Sequence, residues 1–118
     1  MITLDDVRRF ALGRPGTSED FPFDESTLVI RVAGKMFVLL STDAFPLRIN
    51  LKCDPEEAVD LRERYEAIVP GYHQNKRHWN TVILDGSVPL DVVKRLIVNS
   101  YELVCNGLPK RLRLELGL

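Results

Sequence analysis

The sequence predicts an α+β protein, a two-layer sandwich with helices packed on one face of an antiparallel sheet. The predicted elements run α, β, β, β, α, β, α along 118 residues. Early strands joined by short turns before a late helix fit antiparallel pairing better than a parallel sheet with crossover helices. Apolar residues make up 45% of the chain, enough for one hydrophobic core. We therefore expect a single domain over residues 1–118.

The first predicted element is a short helix between Thr3 and Gly13. Thr3 is an N-cap candidate, and the apolar residues after it recur at helical spacing until Gly13 ends the pattern. The next segment, residues 19–25, is acidic and aromatic. Because it contains Pro22, it is a poor candidate for a central strand. We expect a loop there, with its phenylalanines packed onto the protein.

Three strands are predicted in the first half of the chain. Residues 28–32 and 36–40 are apolar runs rich in β-branched side chains, and the connection 33–35 between them has hairpin length. Residues 47–51 alternate strictly between apolar and polar side chains. This alternation indicates a half-buried third strand, with Arg48 and Asn50 on the polar face.

The clearest helix start follows that strand. Asp54 is a suitable N-cap, Pro55 takes the first helical position, and two carboxylates follow in the first turn. This helix is expected to end near Glu66. Residues 79–84 then predict a strand that ends at a turn beginning with Asp85.

The last long helix is predicted to open at Pro89 and to close at Gly107. Between them an apolar stripe at helical spacing indicates the buried side of the helix. Residues 108–118 are basic and amphipathic, and their pattern predicts no defined element.

Net charge and cysteine content limit the kinds of partner that the protein is expected to bind and the cellular compartment in which it is expected to occur. The formal net charge is -1, so contact with a polyanion must use a local patch. Cys53 and Cys105 fit no zinc-binding spacing and indicate reduced thiols. The first residues resemble no leader sequence, and no apolar run approaches the roughly 20 residues that would span a bilayer. We expect a cytoplasmic monomer with no membrane contact and no cofactor.

The unusual side chains concentrate in residues 71–81, hereafter the basic segment. It holds both histidines, the only tryptophan, two adjacent cations and three side-chain amides, and no carboxylate. Amides and a Trp N–H need hydrogen-bond partners when buried, so this composition points to a site more than to a simple turn. The candidate nucleic-acid or anion-binding residues are Tyr72, His73, Asn75, Lys76, Arg77, His78, Trp79 and Asn80.

A metal centre or a catalytic site in the basic segment has little support in the sequence. His73 and His78 are five residues apart with no carboxylate nearby, unlike the HExxH zinc motif. No nucleophile motif such as GxSxG lies beside either histidine. We therefore predict no metal ligand and no catalytic residue, and a non-enzymatic role is favoured while enzymatic activity stays open.

Nucleic-acid binding is the leading hypothesis for the basic segment. Lys76 and Arg77 would contact phosphate, Asn75 and Asn80 would donate hydrogen bonds, and Trp79 would stack on a base. One alternative is a pocket for a small anion or metabolite, catalytic or not, built from Tyr72, His73, His78 and the aromatic residues of the acidic loop. Others are a protein-interaction module, or a structural clasp in which Trp79 anchors the core.

Five ordered blocks of the sequence resemble motifs of the MmcQ/YjbR family of small bacterial proteins. The resemblance implies a CyaY-like, frataxin-type fold. It also implies DNA binding, carried here only onto the matching residues 75–80. A frataxin-like iron role is not expected, because the first helix lacks a dense acidic ridge. The blocks are Pro15-Gly16 through Phe23, Gly34-Lys35-Met36-Phe37, Asn50-Leu51-Lys52-Cys53-Asp54-Pro55, Gly71-Tyr72-His73 with Asn75 to Thr81, and Ser100-Tyr101-Glu102-Leu103-Val104.

Overall fold

Six strands and four helices form among residues 2–71 and 75–118, which are the residues that the computed structural model describes. The first helix begins after Thr3, whose side chain caps it in a reciprocal capping box with Asp6. Asp54 caps the second helix, with proline at its first position. In chain order the elements are α1 (Leu4–Leu12), β1 (Thr17–Asp20), β2 (Thr27–Val32), β3 (Lys35–Ser41), β4 (Leu47–Lys52), α2 (Pro55–Arg64), β5 (Ile68–Pro70), β6 (Trp79–Leu84), α3 (Leu90–Asn106) and α4 (Lys110–Leu116).

The strands form one antiparallel sheet in the order β1-β2-β3-β4-β6-β5. The hairpin between β2 and β3 turns at Ala33 and Gly34, which both have positive φ (51° and 80°). Two positive φ values are what a tight two-residue hairpin turn requires, and Gly34 adopts one without strain. The predicted α+β class and the antiparallel sheet are confirmed.

The hydrophobic core lies between the helices and one face of the sheet. Strand residues alternate across a sheet, so Leu28, Ile30 and Val32 of β2 share a face. They belong to the same core cluster as apolar residues of α1, α2 and α3, represented by Val7, Leu61 and Ile97. Val29 and Leu39 are also buried but lie outside this cluster, as expected for residues on the opposite face.

A β-bulge interrupts β3 at Phe37. Ile30 pairs with Val38 and Arg31 pairs with Met36, which leaves Phe37 as the extra residue. The Oγ of Ser100 on α3 donates to the carbonyl oxygen of Phe37 at 2.6 Å and accepts from the backbone N–H of Lys52 at 2.9 Å. One buried hydroxyl therefore joins the bulge in β3 to the end of β4.

The segment 19–25 differs from its prediction. Residues Thr17–Asp20 form the edge strand β1, and Glu19 faces α1, where it accepts hydrogen bonds from the Arg8 guanidinium. The expectation that the phenylalanines pack onto the protein is wrong, because Phe21 and Phe23 are 51% and 63% exposed. They follow the end of β1, at the edge of the sheet.

Two further elements had no sequence prediction. Strand β5 has only three residues and ends at Pro70, so it lacks the length from which alternation is recognised. Helix α4 follows Pro109, and no side chain caps it.

Candidate functional site

The described end of the basic segment is a tight turn organised by Asn75. The carbonyl oxygen of Asn75 accepts from the backbone N–H groups of His78 (3.0 Å) and Trp79 (2.9 Å), and its Oδ1 accepts from that of Arg77 (2.9 Å). Asn and Asp commonly stabilise turns in this way. Lys76 and Arg77 are consequently exposed at the tip of the turn. The predicted site residues Tyr72 and His73 lie outside the described residues.

Asn80 has a structural role. It is 3% exposed, its Oδ1 accepts from Nη1 of Arg62 at 2.8 Å, and its Nδ2 donates to the carbonyl oxygen of Ala58 at 3.3 Å. Arg62 also donates to the carbonyl oxygen of Lys76 at 3.5 Å. Asn80, Arg62 and Ala58 therefore tie β6 and the turn to α2, and the Asn80 amide is oriented into the protein.

The basic segment is also fixed to both neighbouring strands. The backbone N–H of Cys53, just after β4, donates to the carbonyl oxygen of His78 at 2.7 Å. On the other side the N–H of Gly71 donates to the carbonyl oxygen of Trp79 at 2.9 Å. His78 and Trp79 are half-buried. The segment thus combines a clasp, formed by Asn80, with outward side chains at Lys76 and Arg77.

Trp79 lies on the sheet face opposite the core, hereafter the open face. In the β4–β6 pairing Trp79 is opposite Lys52 and Thr81 is opposite Asn50, whereas Asn80 is opposite the core residue Leu51. The Thr81 hydroxyl donates to Oδ1 of Asn50. Val29 and Leu39 of this face are buried, whereas its partly or fully exposed side chains, in the order of the strands, include Arg31, Arg48, Asn50, Lys52, Trp79 and Thr81.

The open face and the adjoining turn carry an excess of positive charge. Arg48, Lys52 and Arg77 form no ion pair with a carboxylate in the described part of the chain. Arg31 on the same face is paired with Asp20 at 3.0 Å. The carboxylates at the start of α2 belong to the helix layer, since α2 packs on the core face. An anion therefore meets uncompensated cations when it approaches the open face.

Cys53 is not an activated nucleophile. Burial, followed by the nearby carboxylates of Glu57 and Asp54, raises the pKa of its thiol to about 11. A thiol must be ionised to act as a nucleophile or a metal ligand. Arg62 and a backbone hydrogen bond at Asp54 lower the pKa of the thiol but do not offset the burial.

Within residues 2–71 and 75–118, no group of three or more His, Cys, Asp or Glu side chains is placed to hold a metal ion. Nor does this part of the chain contain a helix long and apolar enough to cross a bilayer.

The sequence predicted the turn as part of a site, but it did not predict that residues of β4 lie beside it. The alternation of residues 47–51 already placed Arg48 and Asn50 on a polar face. Their position beside Trp79 and Thr81 depends on the register between two strands that are separated in sequence by α2. No local signal fixes that register.

The fold and the site define a small α+β protein whose helices cover one face of a six-stranded antiparallel sheet and leave a basic face open. The model of the YjbR family matches residues 12–103. The chain belongs to this family.

Relatives of known sequence span nearly the same length. The uncharacterized protein YbdF of Escherichia coli O157:H7 is 36% identical over 105 residues, covering 89% of this chain and 86% of YbdF. The uncharacterized protein YjbR of Escherichia coli K12 is 30% identical over 112 residues, covering 95% of each chain. These relatives support the family, and their names state no activity.

Solved structures support the fold. The chain is similar to the Deinococcus radiodurans protein DR2400, described with a DUF419 domain, with a TM-score of 0.95 and 44% identity. That match covers all of this chain and 90% of the other. A Pseudomonas syringae protein is similar with a TM-score of 0.74 and 28% identity, over 86% of this chain and 98% of the other.

Proposed function

We propose that the protein binds nucleic acid on the open face of its sheet, with the turn at Lys76 and Arg77 at one side of the contact. The observation that carries this proposal is the cross-strand pair of Trp79 and Lys52 on a face to which the helices contribute no core residues. An aromatic ring beside cations combines base stacking with phosphate contact. DNA, which the family resemblance implied, is the first ligand to test. Within the same proposal the fold is CyaY-like and frataxin-type, and the protein is a cytoplasmic monomer.

The breadth of the open face favours single-stranded nucleic acid over a duplex as the ligand. An antiparallel sheet packed on one side presents a broad surface, whereas the duplex grooves admit a helix or a narrow ribbon. Unstacked bases of a single strand can lie on an aromatic ring such as that of Trp79. Asn50 on β4 and Thr81 on β6 are the next outward residues after Lys52 and Trp79. They are hydrogen-bonded to each other, so part of their hydrogen-bonding capacity is already used.

The cations of the open face lie along the path that a bound single strand of nucleic acid would follow. Arg48, Asn50 and Lys52 are successive outward residues of β4, so Arg48 and Lys52 are four residues apart, and Arg77 lies beyond the end of this row. Consecutive outward positions along one strand are separated by about 7 Å. A phosphate backbone that follows β4 towards the turn would therefore meet cations at intervals along its length.

Fluorescence anisotropy with a labelled single strand and a labelled duplex, each at about 50 and 200 mM salt, tests the proposal. We expect tighter binding of the single strand and weaker binding at the higher salt. A Lys76→Ala/Arg77→Ala variant should bind several-fold more weakly and show a smaller salt slope. The matched control is Lys110→Ala/Arg111→Ala on α4, which removes the same charge away from the open face. Absence of binding at low salt, or equal losses in the two variants, contradicts the proposal.

Trp79 supplies a second, independent readout because it is the only tryptophan in the chain. Stacking of a base on its ring should quench its emission in a saturable way, with the same midpoint as the anisotropy titration. If the nucleic acid bound without any change in Trp79 emission, its contact would have to lie outside the open face.

A further inference from the structure

A cavity separate from the open face lies between α1, α3 and the turn that joins β6 to α3. Its volume is about 780 Å³, and it is open on one side to solvent. Cavities of about 300–1,000 Å³ are the usual size of small-molecule sites. Most of the lining is apolar, and it comes from Ile2, Phe10, Leu84, Val88, Val93 and Ile97.

Three charged side chains also line the cavity: Asp6, Arg9 and Lys94. The Asp6 carboxylate is already used, since Oδ2 accepts from the backbone N–H of Thr3 at 2.8 Å and Oδ1 accepts from Nη2 of Arg9 at 3.4 Å. The hydrogen bonds with Thr3 hold the pKa of Asp6 below its ordinary value, so the carboxylate stays ionised. The Asp6 carboxylate is therefore occupied by the N-terminal cap of α1 and by Arg9.

Lys94 provides the uncompensated charge of the cavity. Its Nζ lies 5.5 Å from the centre of the Phe10 ring, and it forms no ion pair with a carboxylate in the described part of the chain. Leu90 is one helical turn before Lys94 on the same side of α3, and it also lines the cavity. Among the described residues no side chain caps this end of α3, where the helix dipole favours a negative charge and Asp91 lies in the first turn.

We propose that this cavity binds an amphipathic carboxylate, with an aliphatic or aryl chain against the apolar lining and the carboxylate beside Lys94. A purely apolar ligand would make no use of the Lys94 charge at the cavity rim, and a small inorganic anion would leave the apolar lining exposed to water. The combination of a charged rim and an apolar interior is satisfied by one molecule that carries both groups. This site is independent of the proposed nucleic-acid interface.

The test is calorimetric titration of the whole protein with straight-chain alkanoates from butanoate to octanoate, below their micelle concentrations. Each added methylene should tighten binding by roughly three- to four-fold until the cavity is filled. Lys94→Gln should weaken octanoate binding several-fold and leave octan-1-ol binding unchanged. The matched control is Arg95→Gln, since Arg95 is the next residue on α3 and is also exposed but does not line the cavity.

The location of the probe is checked by amide chemical shifts of the labelled protein. Octanoate should shift the amides around Phe10, Leu90 and Val93 in a saturable way, and Trp79 emission should not change. Three outcomes would overturn the proposal: no saturable binding of octanoate, equal weakening by Lys94→Gln and Arg95→Gln, or amide shifts confined to other parts of the surface. None of these outcomes bears on nucleic-acid binding, which the anisotropy titration measures separately.

Discussion

Gly71 and Trp79 approach each other more closely than two residues with side chains can. The backbone N–H of Gly71 donates to the carbonyl oxygen of Trp79 at 2.9 Å, and a Cβ added at Gly71 would lie 2.9 Å from the Cβ of Trp79. Real Cβ atoms essentially never come within 3.0 Å of such a neighbour. The absence of a side chain at Gly71 therefore sets the position of Trp79 at the start of β6.

Replacement of Gly71 by alanine should displace Trp79 and destabilise the protein. The clash involves a Cβ and the backbone, which cannot rotate away, so a cost of about 1–3 kcal/mol in the free energy of unfolding is expected. Urea unfolding followed by Trp79 emission measures both the stability and the environment of the ring. The control is Gly107→Ala, where the added Cβ has its nearest neighbour, the Val104 carbonyl oxygen, at 3.5 Å. Equal stabilities of the two variants would contradict the close contact.

Asn80→Ala should lower stability by breaking the connection between β6 and α2. The change removes the hydrogen bonds of a buried amide with the Arg62 guanidinium and with the Ala58 carbonyl oxygen, and the loss of these two bonds is expected to cost about 1–3 kcal/mol. Asn106→Ala is the control, because Asn106 is exposed at the end of α3 and such changes usually stay within about 0.5 kcal/mol. If thermal unfolding shows no difference between the two variants, the clasp contributes nothing to stability.

Elements with capping residues could be predicted from sequence, whereas contacts between distant strands could not. Asp54 and Pro55 mark the start of α2 within a few residues, so local physics is sufficient there. The neighbour of Trp79 on the open face is Lys52, which precedes it by the whole of α2 and β5. That pairing depends on the register of the assembled sheet, which no window of the sequence contains.

The role of Asn80 could have been predicted in part. Val82 and Leu84 are apolar, and alternation places Asn80 on their face of β6, towards the core. The amide therefore had to be oriented inward. Its partners, Arg62 and the Ala58 carbonyl, could not be predicted, because they depend on how α2 packs against the sheet.

The Cys53 thiol should react slowly with alkylating agents. Its pKa of about 11 lies two units above the ordinary value of 9.0, so the thiolate fraction near pH 8 falls by about 100-fold. Iodoacetamide kinetics on a Cys105→Ala variant, which retains only Cys53, would measure this in the folded protein and in urea. Comparable rates in the two conditions would show that the thiol is neither buried nor perturbed.

The raised pKa of Cys53 also predicts a loss of stability at alkaline pH. The folded state holds the thiol proton more tightly than the unfolded state, so this contribution is complete below about pH 9 and is lost as the pH rises towards 11. A Cys53→Ala variant should show a shallower decline in the free energy of unfolding across this range. Tyr101, whose pKa burial raises to about 12, should add a further decline above pH 10 in both proteins. An unchanged slope in the variant would exclude Cys53 as a source.

Ser100→Ala should destabilise the sheet beside the open face. The Ser100 hydroxyl bridges β3 and β4, since it donates to the Phe37 carbonyl oxygen and accepts from the Lys52 N–H, which lies just beyond the last β3–β4 pair. Alanine removes both hydrogen bonds at a fully buried position, so we expect a cost of about 1–3 kcal/mol or more.

The control for this change is Ser18→Ala, an exposed serine on the edge strand β1, where a difference within about 0.5 kcal/mol is expected. Amide hydrogen exchange gives the local readout, since the Lys52 N–H should exchange much faster in Ser100→Ala while the N–H groups in the middle of β2 change only with global stability. Faster exchange at Lys52 would connect the buried serine of α3 to the order of the strand end that carries the Lys52 side chain. Unchanged protection of that amide would mean that another group replaces the hydroxyl and that the end of β4 is held independently of α3.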